Sequence, residues 1–282
     1  MGQIINGKEV AAKLKETIKE FVDERKSNNL SIPKIASILV GNDGGSIYYM
    51  DAQEKAATAL GVEFLKVKLS ENSSDEDVIK EIHKLNNDNS IQGIILQLPL
   101  PKQFDEKKII KEIAMEKDID CLTFESQGRL YMGEPNFLPC TPNSVVKLIK
   151  SLNVDISGKN VVVLGRSNIV GKPVAQLLLN ENATVTICHS KTNNLKDICK
   201  SADILVVAIG KPKFIDESYV NKDAIVIDVG TSRFEGKITG DVDFDKVIDN
   251  CRFLTPVPGG VGALTTTLLI NNACEALKKY EY

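Results

Sequence analysis

The stretch VVVLGRSNIVGKP (161–173) has the pattern of a phosphate-binding turn. An apolar strand ends at Gly165, a turn follows, and a helix starts with Pro173 in its first turn. The spacing is not GxGxxG, since the next glycine after Gly165 is Gly171. The physical logic is the same: a glycine-ended strand meets a helix whose free amides and positive dipole end hold a phosphate. An NAD site expects an acid about 20 residues on, at the end of the second strand, to bind the ribose hydroxyl. That region here reads TVTICHSKT (184–192), with Ser190 and Lys191 and no acid. Arg166 lies in the first turn. A cation and a hydroxyl suit a 2′-phosphate, which favours NADP over NAD. Lys191 alone also reads as a solvated surface lysine.

The elements that must position this turn alternate along the chain. KIASILV (34–40), VEFLKVKL (62–69) and IQGIILQLPLP (91–101) read as strands, the last stopped by its prolines. Between them lie a helix from about Ser46 to Leu60 and another marked by Val78, Ile79, Ile82 and Leu85. A first helix is marked by Val10, Leu14, Ile18 and Phe21, with Asn6 and Glu9 suited to its N-cap. NVVVLG (160–165), ATVTIC (183–188), ADILVVAIG (202–210) and DAIVIDVG (223–230) form a second strand series. Strand–helix alternation predicts an α/β fold with parallel sheets. The polar stretch 153–159 is a plausible domain junction, and a last helix is expected over about 264–279.

Composition narrows the classes. The chain has 282 residues, enough for about two domains, and a net charge of −3. No global basic footprint points to nucleic acid or a membrane surface. No apolar run is long enough to span a bilayer, and the N-terminal stretch lacks the apolar segment of a secretory signal. Six scattered cysteines without a CxxC pair and two histidines, His83 and His189, predict neither zinc nor a disulfide framework. The expected location is a reducing cytoplasm.

Taken in order, SIYYMDAQEKAATALGV (46–62), GIILQLPLP (93–101), KDIDCLT (117–123), LPCTP (138–142), GRSNIVGKP (165–173), HSKT (189–192), AIVIDVG (224–230), GDV (240–242) and TPVPGGVGALT (255–265) resemble the bifunctional methylenetetrahydrofolate dehydrogenase/cyclohydrolase family over nearly the whole chain. The resemblance implies two domains with the folate in a cleft between them. A folate-binding α/β catalytic domain would take residues 1–143, joined by the C-terminal helix 264–282. A Rossmann-type doubly wound parallel sheet, residues 144–263, would bind NADP. The implied reaction is oxidation of 5,10-methylenetetrahydrofolate to the 5,10-methenyl cation, then hydrolysis to 10-formyltetrahydrofolate, by a homodimer in one-carbon metabolism.

The family motif Ser-x-x-Tyr-x-x-x-Lys places a lysine central to the hydrolytic step. Here Tyr49 matches the tyrosine, but Gln53 stands at the lysine position. Lys55 is two residues further, about 200° round a helix, and faces away. Tyr49 and Gln53 share one helical face. Glutamine hydrogen-bonds but neither exchanges a proton near neutral pH nor carries charge. Hydride transfer needs mainly alignment, whereas water attack on the cation needs proton handling. The expectation is a dehydrogenase whose cyclohydrolase is weak or lost.

The resemblance carries further residues singly. Gln97 matches a glutamine near the reacting centre, flanked by Leu96 and Leu98 as substrate contacts. Asp120 matches an aspartate binding the pterin edge. Pro258, Gly259, Gly260, Val261 and Gly262 match a loop closing over the folate. Gly165, Arg166, Ser167, Ser190 and Thr231 match cofactor contacts, and no metal is implied. Cys121 stands where glycine is usual, and Ala263 where proline is usual, which predicts altered backbone geometry and a more mobile loop. Rival readings are a shikimate-dehydrogenase-like enzyme, disfavoured by TPVPGGVGALT, a short-chain dehydrogenase, disfavoured by motif order, and a non-catalytic folate or nucleotide sensor.

Overall fold

The computed structural model describes residues 2–280. Strand β1 (Gln3–Ile4) and helix α1 (Gly7–Ser27) open the chain. Strands β2 (Lys34–Val40), β3 (Glu63–Leu69) and β4 (Gly93–Leu96) then alternate with α2 (Gly44–Ala59) and α3 (Asp75–Asn86). Two short helices follow, α4 (Glu106–Ile110) and α5 (Phe124–Tyr131). The second series runs α6 (Cys140–Lys150), β5 (Asn160–Leu164), α7 (Gly171–Asn180), β6 (Thr184–Cys188), α8 (Leu195–Lys200), β7 (Ile204–Val207) and β8 (Ile225–Asp228). A hairpin of β9 (Ser232–Phe234) and β10 (Lys237–Thr239), α9 (Phe244–Val247), β11 (Phe253–Leu254) and α10 (Val261–Lys279) complete it.

The chain divides into two compact units, Met1–Ala12 with Cys140–Thr265, and Lys13–Pro139 with Thr266–Tyr282. The expected two-domain α/β fold is present. The boundaries differ in two places. β1 pairs with β11, Gln3 opposite Phe253, so the first residues lie in the second sheet rather than in the first domain. The division falls at Pro139/Cys140 and not in the polar stretch 153–159, because α6 packs on α7.

The larger N-terminal stretch builds a three-stranded parallel sheet in the order β3-β2-β4. β2 is central and almost wholly buried, as a strand covered on both faces must be. β4 is shorter than its apolar run suggests. It pairs only from Gly93 to Leu96, because Pro99 and Pro101 lack the amide hydrogen a ladder needs. α3 opens with a capping box, Ser74 Oγ accepting from Asp77 N at 3.2 Å and Asp77 Oδ2 from Ser74 N at 2.9 Å. Ile38, Ile82, Ile94 and Ile109 fill the core beneath.

The other unit carries a six-stranded parallel sheet, β1-β11-β8-β7-β5-β6. β5 lies between β6, which follows it, and β7, which crosses to its other side. In each sheet the strand order therefore reverses beside one strand, β2 in the first and β5 in the second. Open α/β sheets bind ligands in the crevice outside the carboxyl ends at such a reversal. α10 begins at Val261, three residues earlier than the sequence pattern suggests, so Val261 and Gly262 belong to its first turn.

Candidate functional site

At the reversal of the first sheet, β2 ends and α2 begins, while β4 ends at Leu96 and Gln97 follows. Asp43 caps α2, its Oδ2 accepting from Ser46 N at 2.8 Å, which fixes the helix that carries Tyr49 and Gln53. Tyr49 is half exposed, with Tyr48 edge-on at 6.0 Å between ring centres. Gln97 is buried and its backbone N extends the ladder to Ile38 O at 2.9 Å. Its Nε2 donates to Gln53 Oε1 at 2.7 Å and to Ser37 Oγ at 3.0 Å. The sequence placed Tyr49 and Gln53 on one face, and the structure joins Gln53 to Gln97. It also adds Ser37, whose only signal was a hydroxyl interrupting the apolar run KIASILV. Lys55 is exposed, as expected of a residue facing away from Gln53. Leu96 is buried and Leu98 half-buried beside Gln97.

Asp120 lies half-buried in a loop that its neighbour Asp118 organises. Asp118 is fully buried and accepts from Leu122 N and Thr123 N, each at 2.9 Å. Thr123 in turn caps α5. Cys121 has φ +58° with its side chain fully buried. The backbone there has the left-handed conformation that glycine adopts freely, so the cysteine carries strain. Burial pushes its thiol well above the usual range.

The second reversal holds a cavity of about 360 Å³ lined by Leu164, Gly165, Arg166, Ser167, His189, Ser190, Leu195, Ala208, Ile209, Lys211 and Phe214. It brings together four of the five expected cofactor residues. Thr231 is exposed just before the β9–β10 hairpin and is not part of this lining. Gly165 has φ +132°, and a Cβ there would stand 2.2 Å from Ala208 O. A Cβ on Gly171 would stand 2.3 Å from Gly165 O, so the turn closes only with glycine at both positions. One expectation is corrected. The amides at the start of α7 are not all free, because Ser167 Oγ accepts from Val170 N at 3.1 Å and Gly171 N at 3.3 Å. Ser167 thus shapes the turn. The donor set fits a dinucleotide: Arg166 and Lys211 for phosphate charge, Ser190 for a hydroxyl partner, and Leu195, Ile209 and Phe214 for an apolar base.

Behind this cavity two carboxylates missed by the sequence reading organise the loops. Asp241 is fully buried, and its Oδ2 accepts from Ile209 N at 2.7 Å and Gly210 N at 2.9 Å. Asp228, at the end of β8, accepts from Gly230 N and Asp241 N at 3.0 Å and from Val242 N at 2.9 Å. Burial outweighs these donors, the Asp241 charge adds to it, and the Asp228 carboxyl is pushed up to about 7. Asp228 N donates to Thr255 Oγ1 at 2.7 Å, which ties β8 to the segment leading into Pro258, Gly259 and Gly260. In that segment Ala263 N donates to Gly260 O at 3.2 Å, a hydrogen bond proline could not make. The alanine therefore supplies one amide hydrogen bond at the start of α10.

The whole chain has close counterparts. Residues 5–120 match the family described as tetrahydrofolate dehydrogenase/cyclohydrolase, catalytic domain, and residues 139–281 its NAD(P)-binding domain. A protein of Clostridium beijerinckii named bifunctional protein FolD is 80% identical over 282 residues, covering 100% of both chains. The crystal structure of the bifunctional FolD dehydrogenase/cyclohydrolase of Campylobacter jejuni superposes with TM-score 0.96 at 40% identity, covering 99% of each chain. That of Trypanosoma brucei, complexed with NADP cofactor and inhibitor, superposes with TM-score 0.93 at 36% identity, covering 99% of this chain and 98% of that one. With both domains matched in order and relatives aligned end to end, the chain belongs to the tetrahydrofolate dehydrogenase/cyclohydrolase family.

Proposed function

We propose that this chain oxidises 5,10-methylenetetrahydrofolate to the 5,10-methenyl cation with NADP and hydrolyses that cation only weakly. The observation that carries this reading is the Gln53–Gln97 contact at 2.7 Å. Two neutral amides meet where the family motif has a lysine. Neither can take a proton from an attacking water near neutral pH. Both can still orient a bound folate, which is the main demand of hydride transfer. Tyr49 supplies a hydroxyl one turn away, and Asp120 a carboxylate suited to the N–H edge of a pterin. NADP, when bound, accepts the hydride. Arg166 and Ser190 with Lys191 suit its 2′-phosphate, and the end of β6 offers no acid for a free ribose hydroxyl. The same reading expects a homodimer, which light scattering of the purified chain checks.

The name of the 80%-identical relative supports a second reading, a fully bifunctional enzyme. Two assays on one purified sample separate them. One follows NADP reduction by methylenetetrahydrofolate, with NAD in parallel. The other follows methenyltetrahydrofolate hydrolysis above the buffer blank. The expected result is reduction with little added hydrolysis, and a gain of roughly 10²-fold or more in hydrolysis for Gln53→Lys. Full hydrolysis by the unaltered chain would refute the proton-handling argument.

A further inference from the structure

Ser37 lies in the middle of β2, the central strand, and is fully buried. Ile35, Ala36, Ile38, Leu39 and Val40 around it are all buried apolar residues. A hydroxyl in that setting has lost its water and needs a partner. Among the described residues its side chain has one, Gln97 Nε2 at 3.0 Å. The strand ladder uses only its backbone. The hydroxyl therefore has one structural consequence, which is where the Gln97 carboxamide points.

We propose that Ser37 is a positioning residue for the redox step: it docks one end of the Gln97 carboxamide from behind while Gln53 holds the same end from the side. This rests on the function proposed above. With Gln97 Nε2 shared between Ser37 Oγ and Gln53 Oε1, the amide atoms left to a ligand are Gln97 Oε1 and Gln53 Nε2, one neutral acceptor and one neutral donor. A carbonyl oxygen held beside a carbon that becomes a cation favours the product of hydride loss, and it does so only if its direction is fixed beforehand. The hydroxyl is also the one partner that serves either orientation of the amide. If a lysine at position 53 demanded the oxygen end of Gln97, Ser37 could turn from accepting to donating.

The test is a double-mutant cycle in the dehydrogenase assay with methylenetetrahydrofolate and NADP, using the full chain, Ser37→Ala, Gln97→Ala and the double variant. Ser37→Ala is expected to lower kcat about fivefold with the folate KM within about twofold, the loss of one aligning hydrogen bond. In the Gln97→Ala background the same change is expected to add nothing, because Ser37 acts only through Gln97. A kcat within twofold of the unaltered chain, or an equal fractional loss in both backgrounds, would overturn the proposal. Far-UV circular dichroism and the urea unfolding midpoint report folding of each variant. If the unaltered chain shows no turnover, the proposed function fails, and the side-chain amide NMR signals of Gln97 decide the role of Ser37 by themselves. Slow hydrogen exchange lost in Ser37→Ala supports it, and unchanged exchange overturns it.

Discussion

Asp228 makes the stability of this protein depend on pH in a direction opposite to that of an ordinary surface carboxylate. Burial pushes its carboxyl from 3.8 up to about 7, against three backbone N–H donors. The folded chain thus holds the proton more tightly than the unfolded chain. The stabilisation is complete below about pH 4 and is lost as pH rises through about 7. Linking the two pKa values, the loss between pH 5 and pH 8 is about 2–3 kcal/mol, most of it by pH 7. For a chain of this length that corresponds to roughly 5–10 °C in Tm. Asp228→Asn removes the titration but turns an amide NH₂ toward a backbone donor, since Oδ1 accepts from Gly230 N and Asp241 N and Oδ2 from Val242 N. The variant is therefore less stable at pH 5, by about 1–3 kcal/mol. The gap to the unaltered chain then narrows by about 2–3 kcal/mol between pH 5 and pH 8. Urea denaturation of both proteins at several pH values measures the gap directly, and titrating groups remote from Asp228 and its neighbour Asp241 cancel in the difference. A gap constant within about 0.5 kcal/mol, or one that widens with pH, would refute the reasoning, because the carboxylate would then be stabilised by its donors rather than strained by burial.

Two further outcomes follow from the same kind of contact. Lys117 is buried, with Nζ donating to Leu85 O at 2.8 Å and Asp88 O at 2.7 Å at the end of α3. Lys117→Met removes the side-chain donor from both carbonyls, which keep backbone donors in Asp88 N at 3.3 Å and Ile91 N at 3.0 Å, and is expected to cost about 1–2 kcal/mol in denaturant titration, while a change under about 0.5 kcal/mol would show that water replaces the ammonium. Gly171→Ala places a Cβ 2.3 Å from Gly165 O, so the turn must open. The expected result is loss of at least tenfold in NADP affinity with the first sheet intact, and unaltered affinity would remove the turn from the binding site.

The architecture was readable because its cause is local. Apolar runs of strand length alternate with helical periodicity, and that alone dictates parallel sheets whose ligand sites lie at the carboxyl ends. The glycine turn 165–171 was readable for the same reason, since a missing Cβ is a property of the residue itself. What escaped were polar groups whose partners lie far along the chain and whose own residue type gives no signal. Asp241 reaches Ile209 and Gly210, about thirty residues earlier, and Ser37 reaches Gln97, which lies sixty residues on in sequence yet beside it in the sheet. A lone serine in KIASILV looks like a blemish in a strand until β4 is known to pair with β2. Position 121 shows the converse. A cysteine stands where glycine is usual, and its φ is +58°, in the left-handed region that glycine adopts freely. The carboxylate of Asp118 pins the amides of Leu122 and Thr123 at 2.9 Å, and the buried thiol gains apolar contact. Left-handed backbone costs a non-glycine residue only about 1–2 kcal/mol, less than releasing two hydrogen bonds to a buried carboxylate. The surroundings therefore decide the conformation, and the residue type sets only the strain. The same ordering applies at Gln53. The helix and the strand end place the Gln53 side chain beside Gln97, so the chemistry of the site follows from the residue that stands at position 53.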